Sequence, residues 1–383
     1  MPAICYRRKV RRFAVRPTTT TPLPLPCSRP MDTLALYHYA VALLKGKIAI
    51  PALSGMETAA ADYLWAQLAL AGLSPFRIGN NVCARSPRNR AGRPGLMLNS
   101  HIDTVKAAAG YTQNPFEPQE RDGKLYGLGS NDAGASLVAM IAGFRYLTTV
   151  DLPFNLLLAL SCEEENSGAG GLTAVLREWP EADCAIVGEP TGMKAAVGER
   201  GLLVLDGVAQ GVTGHAARDE GTNALYIALQ DIDYIRQYPF TRTSPLMGAV
   251  KATVTMISAG SQHNVIPDRC TFVVDVRPNE CYTPREILTL LQGGVRSELQ
   301  ARSLAHRCSF TPDGHPLKRC AERLGLDVYI SPTTSDWVRL HRPAIKMGPG
   351  DPARSHSADE FVYLHEIEDG IDGYIRFITH LQL

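Results

Sequence analysis

The stretch FNLLLALSCEEENSGAGG, from Phe154 to Gly171, decides how the rest of the chain is read. An apolar run ends abruptly at Ser161-Cys162, and Glu163, Glu164 and Glu165 follow without a break. Apolar runs of this kind predict central strands of a parallel sheet. Open α/β folds place their ligands at the C-terminal ends of such strands. Three adjacent carboxylates there raise the question of what offsets their charge and whether they have different tasks.

Outward from this strand, short apolar runs alternate with helical ones. GLMLNS (95–100) and CAIVGEP (184–190) read as strands, and ASLVAMIAGFRYL (135–147) and GGLTAVLREW (170–179) as helices. Strands separated by helices of this length indicate βαβ units and a parallel or mixed sheet. Upstream, from Met31 on, the periodicity predicts two amphipathic helices, with Ser54 and Glu57 at capping-box spacing ahead of the second. Past about residue 199 the texture changes to longer, alternating, β-branched runs such as GAVKATVTMISAG and RCTFVVDVRPN, suited to an antiparallel sheet with one solvated face. NALYIALQDIDYIRQY and PREILTLLQGGVRSELQARSL are the helical stretches of that part. The expectation is an α/β fold: a mixed, mostly parallel sheet flanked by helices, formed by residues 31–198 and 309–383. An α+β domain is inserted over 199–308, and a last helix runs from Ala358, with His356 at its opening.

Bulk properties bound the function. At 383 residues, 45% hydrophobic and 20% charged, the chain has the composition of an ordinary soluble globular protein. A net charge of +1 makes no case for nucleic acid or an anionic membrane surface, and no apolar run approaches a membrane span. The nine cysteines include no CxxC pair and read as reduced thiols in a cytoplasmic protein. Residues 1–30 carry six Arg or Lys by position 16, no acid, and then a Thr/Pro-rich tract. They read as a disordered extension, lacking the apolar segment of a secretory signal.

Acidic and imidazole residues fall at the ends of several predicted strands. His101 and Asp103 follow GLMLNS; Asp132 lies in the Gly-rich turn YGLGSNDAGAS; the Glu triplet, Glu189 and His356 complete the set. Singly, each has an ordinary structural explanation, such as an Asx turn or a capped surface histidine. Strand ends of a parallel sheet converge, however, so together they could form one cluster of two histidines and several carboxylates. That donor mixture suits divalent metals, Zn²⁺ first, and cations would remove the objection to burying so much like charge.

LNSHIDTV, YGLGSNDAGAS, LALSCEEENSGAGG, CAIVGEP, GVTGHAAR, HNVIPDRCTFVVDVRP and GPGDPARSHSADEF together resemble the ordered signature blocks of the di-zinc amidohydrolases. That family includes acetylornithine deacetylase, succinyl-diaminopimelate desuccinylase and glutamate carboxypeptidase. The resemblance runs from about residue 35 to the C-terminus and implies a catalytic domain split around a smaller dimerisation lid. It implies that His101, Asp132 and Glu189 bind one cation and Asp132, Glu165 and His356 a second, with Asp132 bridging. Zn is expected, with Co or Mn possible. Asp103 would orient the His101 imidazole. Glu164 would be the general base and acid, with Glu163 structural or solvated. The peptide after the bridging aspartate, Asp132–Ala133, would be cis. His215 would reach from one subunit of a homodimer into the other's site to bind the oxyanion. Asn264, Arg277, Thr334 and Gly350 would hold substrate, Arg277 through an α-carboxylate. Lys106 and Ala133 depart from commoner family residues; neither is an implied ligand.

The wording is most similar to the acetylornithine deacetylase branch. That implies hydrolysis of a small N-acyl amino acid (N-acetylornithine, or N-succinylornithine or N-acetylcitrulline) in arginine biosynthesis. A dipeptidase or aminopeptidase, a succinyl-diaminopimelate desuccinylase, and a non-catalytic binding protein on the same fold are the rivals. No GxSxG elbow or placed Cys–His pair supports a serine or cysteine hydrolase.

Overall fold

The computed structural model describes residues 32–218 and 220–383, so the reading of residues 1–30 falls outside the described part. The strand ahead of the Glu triplet, Asn155–Ser161, lies inside a large mixed sheet. Its neighbours are Asn81–Arg85, antiparallel, and Gly95–His101, parallel. The sheet continues through Cys184–Val187, parallel to Gly95–His101, and Ala344–Lys346, parallel to Cys184–Val187, and reaches Ala195–Glu199, which runs antiparallel to Ala344–Lys346. The central strands are buried along almost their whole length, as the unbroken apolar runs require.

One face of this sheet is covered by the helices Thr33–Ile48, Ser136–Leu147 and Leu364–His380, which pack on one another around Leu44, Phe144, Tyr374 and Phe377. The other face meets the short helices Leu172–Glu178 and Trp337–Leu340, with Trp179 and Trp337 filling the space between. A separate core forms within residues 203–299. There Lys251–Ala259, Arg269–Arg277, Leu203–Gln210 and Glu298–Ala301 make a four-stranded antiparallel sheet, in that order. The helices Ala224–Gln237 and Pro284–Gln292 contribute Ile227, Ile235, Ile287 and Leu291 to its core. In Arg269–Arg277 every second residue from Cys270 to Val276 is buried, the alternation of a sheet with one covered face.

Three local expectations give way to tertiary contacts. Ser54 and Glu57 form no capping box: Glu57 itself precedes the helix Thr58–Leu70 and makes no side-chain cap. Its buried carboxylate instead accepts from the backbone of Gly55 (2.6 Å) and Glu163 (3.1 Å). The helix that opens at Pro284 is capped by a Thr283/Glu286 box, but it stops at Gly293 and residues 298–301 pair as a strand. The last helix begins at Leu364, not Ala358. Residues Phe361–Tyr363 first pair with Lys124–Tyr126, which leaves His356 in a turn with φ of +58°.

Candidate active site

Strand register brings the cluster together. His101 stands opposite Ser161, and Asn99 opposite Val187. The residues just past those strand ends, Glu163–Glu165 and Glu189, therefore emerge beside His101. Asp132 arrives from the turn ahead of the helix Ser136–Leu147, and the Asp132–Ala133 peptide is cis, as the resemblance implies. His356 comes from the loop after Ala344–Lys346.

Asp132 stands between the two histidines. Its Oδ1 is 3.2 Å from His101 Nε2 and its Oδ2 is 3.7 Å from His356 Nε2. Glu189 Oε1 lies 4.0 Å from His101 Nε2, and Glu165 Oε1 lies 3.2 Å from His356 Nε2. Donor atoms of His101, Asp132 and Glu189 fall within 4.8 Å of one another; so do those of Asp132, Glu165 and His356, and those of His101, Glu164 and Glu165. Two imidazoles and clustered carboxylate oxygens are the donor chemistry of Zn²⁺ and its borderline neighbours, so the residues present fit a cation-binding role.

The Glu triplet is held by its backbone. Asp103, fully buried, accepts the N–H of Glu164 on Oδ1 (3.1 Å) and that of Glu165 on Oδ2 (3.0 Å), while the Glu163 N–H goes to Glu57. Ser54 donates to Asp103 Oδ2 at 2.7 Å. His101 Nδ1 faces the Asp103 carbonyl at 3.0 Å, closer than the Asp103 carboxylate at 3.5 Å. An Nδ1–H donated there leaves Nε2 as the nitrogen that faces Asp132 and Glu189. The Glu163 side chain turns back to accept from Gly170 N (2.9 Å), while Glu164 and Glu165 line the cleft.

A second carboxylate holds the Asp132 turn. Glu360, buried and four residues past His356, accepts the N–H of Gly129 (2.8 Å), Asn131 (2.9 Å) and Asp132 (2.8 Å). Lys47 is buried behind this turn; a Cβ on Gly129 would come within 2.8 Å of its Nζ, and Gly129 has φ of +69°.

Packing so many ionisable groups together perturbs each of them. Burial pushes Glu189 up to about 8, opposed by His101 and reinforced by Asp132. Burial likewise holds Glu164 well above the ordinary carboxylate range, with His101 opposing and Glu189 and Glu165 adding to the rise. The Glu165 carboxylate raises His356 to about 9. For His101, burial favours the neutral ring, but hydrogen bonding to Asp103 and Asp132 outweighs it and lifts the imidazole well above its usual value. Strongly perturbed titratable groups gathered in a cleft are the signature of a functional site.

The cleft comprises two adjoining hollows of about 330 and 320 Å³, which share Glu164, Glu165, Thr333, Thr334 and His356. Arg277 lines it, with Nε and Nη2 committed to Asp275 (2.7 and 2.9 Å) and Nη1 3.4 Å from Thr334 Oγ1. Thr334 donates to the Arg200 carbonyl (3.1 Å). Gly350, with φ of +94°, packs where a Cβ would meet Asn131 Oδ1 at 2.5 Å, and it is not among the cleft-lining residues. His215 and Asn264 also stand outside the lining. They lie together at an exposed two-stranded antiparallel ribbon, distant in sequence, in which His215 pairs with Val265 and Ala216 N donates to Asn264 O at 3.0 Å.

Several site residues escaped the sequence reading. Asp336 lines the cleft and accepts from Ser161 Oγ, and burial pushes it up to about 6. Lys346 is buried at the end of its strand, 3.1 Å from Glu199 Oε2. Glu360, Glu57 and Lys47 also act through buried charge, and a single charged residue carries no periodic signal of burial. Arg339, which lines the cleft beside Asp336, was likewise unmarked.

An α/β sheet with clustered histidine and carboxylate donors at its strand ends is the architecture of a metal-dependent hydrolase. The chain belongs to Peptidase family M20/M25/M40, whose model matches residues 97–380. It is 29% identical over 355 residues to a succinyl-diaminopimelate desuccinylase of Corynebacterium glutamicum, covering 86% of this chain and 93% of that one. It is 27% identical over 317 residues to an acetylornithine deacetylase of Shigella sonnei, covering 76% and 81%. Among solved structures, an M20 family metallo-carboxypeptidase from Sulfolobus solfataricus superposes with a TM-score of 0.73 at 15% identity, covering 89% of this chain and 98% of that one. A dinuclear metal binding M20 peptidase from Bacillus subtilis gives 0.64 at 16%, covering 91% and 98%. At these identities the structures establish the shared fold. Together with the family membership and the curated relatives, they make the protein an amidohydrolase of this family. Among the described residues no helix is long and apolar enough to cross a membrane, and the seven described cysteines are free thiols.

Proposed function

We propose that the protein hydrolyses the amide bond of a small N-acyl amino acid, with N-acetylornithine the first candidate and N-succinylornithine and N-acetylcitrulline next, in arginine biosynthesis. The observation that carries the reading is Asp132, whose two carboxylate oxygens each face a different histidine, as a bridging ligand must. His101, Asp132 and Glu189 would hold one divalent cation, and Asp132, Glu165 and His356 a second, Zn²⁺ first and Co²⁺ or Mn²⁺ as alternatives. Bound there, two dications supply Lewis acidity toward a carbonyl and acidify water.

The chain's own residues do the rest. Asp103 fixes the His101 ring and the Glu164–Glu165 backbone together, so the base and the ligands keep one geometry. Glu164, held by its backbone and raised in basicity by its surroundings, takes the proton of the attacking water and returns it to the leaving amine. Arg277 offers its remaining Nη1 edge, beside Thr334, to the substrate.

In this reading His215 and Asn264 complete the site of a second copy of the chain in a homodimer. The residues are exposed and outside their own cleft. The edge strand Lys251–Ala259 exposes Met256 and Ile257, and the neighbouring helix exposes Tyr226 and Leu229. A cytoplasmic location belongs to the same proposal and is supported by the free thiols among the described cysteines.

A second reading, succinyl-diaminopimelate desuccinylase, is favoured by the relative from Corynebacterium glutamicum. The test is amine release from N-acetylornithine, N-succinylornithine, N-acetylcitrulline and N-succinyl-diaminopimelate, with and without a chelator. Release of ornithine that stops on chelation supports the proposal. Release only from the diaminopimelate compound replaces it with the second reading, and release that ignores the chelator sinks the metal role.

A further inference from the structure

The cations that line the cleft are not equivalent. Arg277 is neutralised by Asp275, Lys346 by Glu199, and His356 by Glu165. Arg339 has no such partner. Its guanidinium donates to the Ser167 carbonyl, at the end of the loop that carries Glu164 and Glu165, and forms no ion pair among the described residues, although the Asp336 carboxylate lies within reach of its charge. Asp336, three residues earlier, spends its carboxylate on the Ser161 hydroxyl. Arg339 also lines a groove of about 380 Å³ that adjoins the cleft, together with Arg177 and His341. Neither of those two makes a hydrogen bond or ion pair with a described residue, and no Asp or Glu lines the groove. Leu176 and Val338 supply an apolar wall.

We propose that Arg339 anchors a second anionic group of the substrate, at the end remote from the scissile amide, with Arg177 and His341 extending the cationic track behind it. This rests on the amidohydrolase reading above and changes its order of candidates: an N-acyl amino acid that bears two carboxylates, such as N-succinylornithine, moves ahead of N-acetylornithine. A partly buried guanidinium bonded only to a carbonyl leaves donors unused and its charge only partly offset by Asp336, and a carboxylate is the planar acceptor that matches its fork. The second carboxylate can come from a dicarboxylic acyl chain or from an acidic amino-acid side chain. Both present the same chemistry to Arg339.

The test compares kcat/KM for N-succinylornithine, N-acetylglutamate and N-acetylornithine on the metal-loaded wild type, Arg339→Gln and Arg339→Lys. One of the two diacids should be preferred at least 10-fold over N-acetylornithine, and which one identifies the source of the carboxylate. Arg339→Gln should lose at least fivefold more on that diacid than on N-acetylornithine, mainly through KM, and Arg339→Lys should recover part of the loss. An equal loss on all three substrates would assign Arg339 to holding the Ser167 loop and overturn the proposal, as would a wild type indifferent to the second carboxylate. If none of the three is hydrolysed, the amidohydrolase reading fails for these substrates. Calorimetry with N-succinylornithine then decides the anchor alone: binding at least fivefold tighter to wild type than to Arg339→Gln sustains it, and equal binding removes it.

Discussion

The two sheets of this protein solve opposite problems. In the antiparallel sheet of residues 203–301 the strand Arg269–Arg277 buries every second side chain, and the sheet's core of Leu205, Phe272, Val274 and Ile287 is apolar, with Asp231 the buried carboxylate at its edge, bonded to Arg296 N and Ser297. The strands ending at His101, Ser161 and Val187 are buried on both faces and discharge into a knot of carboxylates and imidazoles. The first draws its side-chain stabilisation mainly from apolar area. In the second, the carboxylates of Asp103, Glu57 and Glu360 accept backbone N–H groups and so fix the chain that carries like charges. The comparison separates stability from chemistry: damage to the antiparallel core should unfold, whereas damage at the strand ends should disable.

The largest effect should come from the disabling side. Glu164→Gln keeps the shape and the backbone bonds to Asp103 but removes the proton acceptor. Turnover should fall by about 10²- to 10⁴-fold, with metal content by elemental analysis and denaturation midpoint close to wild type. A variant that retains activity would move the base elsewhere in the triplet. In the other region, Phe272→Ala opens the antiparallel core, where the ring packs against Gly207 so closely that a Cβ there would meet it at 2.3 Å. A cost of about 3–5 kcal/mol is expected in denaturant unfolding, with unchanged metal stoichiometry in the protein that remains folded.

Glu360→Ala tests the boundary between the two kinds of damage. It leaves three N–H groups of the Asp132 turn without their acceptor, for a loss on the order of 2–3 kcal/mol. Unlike Phe272→Ala it should also weaken metal binding, measured calorimetrically on the metal-free protein, because Asp132 loses its fixed approach. Stability loss without weaker metal binding would make Glu360 a purely structural carboxylate.

The same contrast explains what could be read in advance. Apolar periodicity reports burial, so the strands, their ends and the inserted sheet were legible from runs such as FNLLLALS and RCTFVVDVRPN. The donors at the strand ends followed from where those runs stop. The supporting charges did not. Ser54 and Glu57 have the spacing of a local cap, yet both face Asp103 and the Glu loop more than 45 residues away. Glu360 looked like the first turn of a helix, because the pairing of Phe361–Tyr363 with Lys124–Tyr126 is a long-range contact. Lys47 ends a helix whose last turn would ordinarily point it at solvent. In each case one distant partner overrides the local pattern, and a lone charged residue leaves no period to detect.

The smallest effect, and the most direct reading of the crowded charges, is the pH dependence of the metal-free protein. Glu189 is raised to about 8 and His356 to about 9, so both bind protons more tightly folded than unfolded. Stability from a raised group is complete below its unfolded value and disappears as pH climbs through its folded value. Asp103 and Asp132 are lowered, and their opposite contribution is lost only as pH falls into the ordinary carboxylate range and below. Glu164, His101 and Glu360, the last to about 7, are raised as well and act in the same direction, so between pH 6 and 9 the chelated protein should become easier to denature as pH rises. Metal-loaded protein should show little of that slope, because ligands that hold a cation have already given up their protons. Metal binding at pH 7.5 should accordingly release protons, read as a buffer-dependent calorimetric heat. Equal slopes with and without metal would mean that Glu189 and His356 are not ligands, and the contrast between the two sheets would then lose its chemical half.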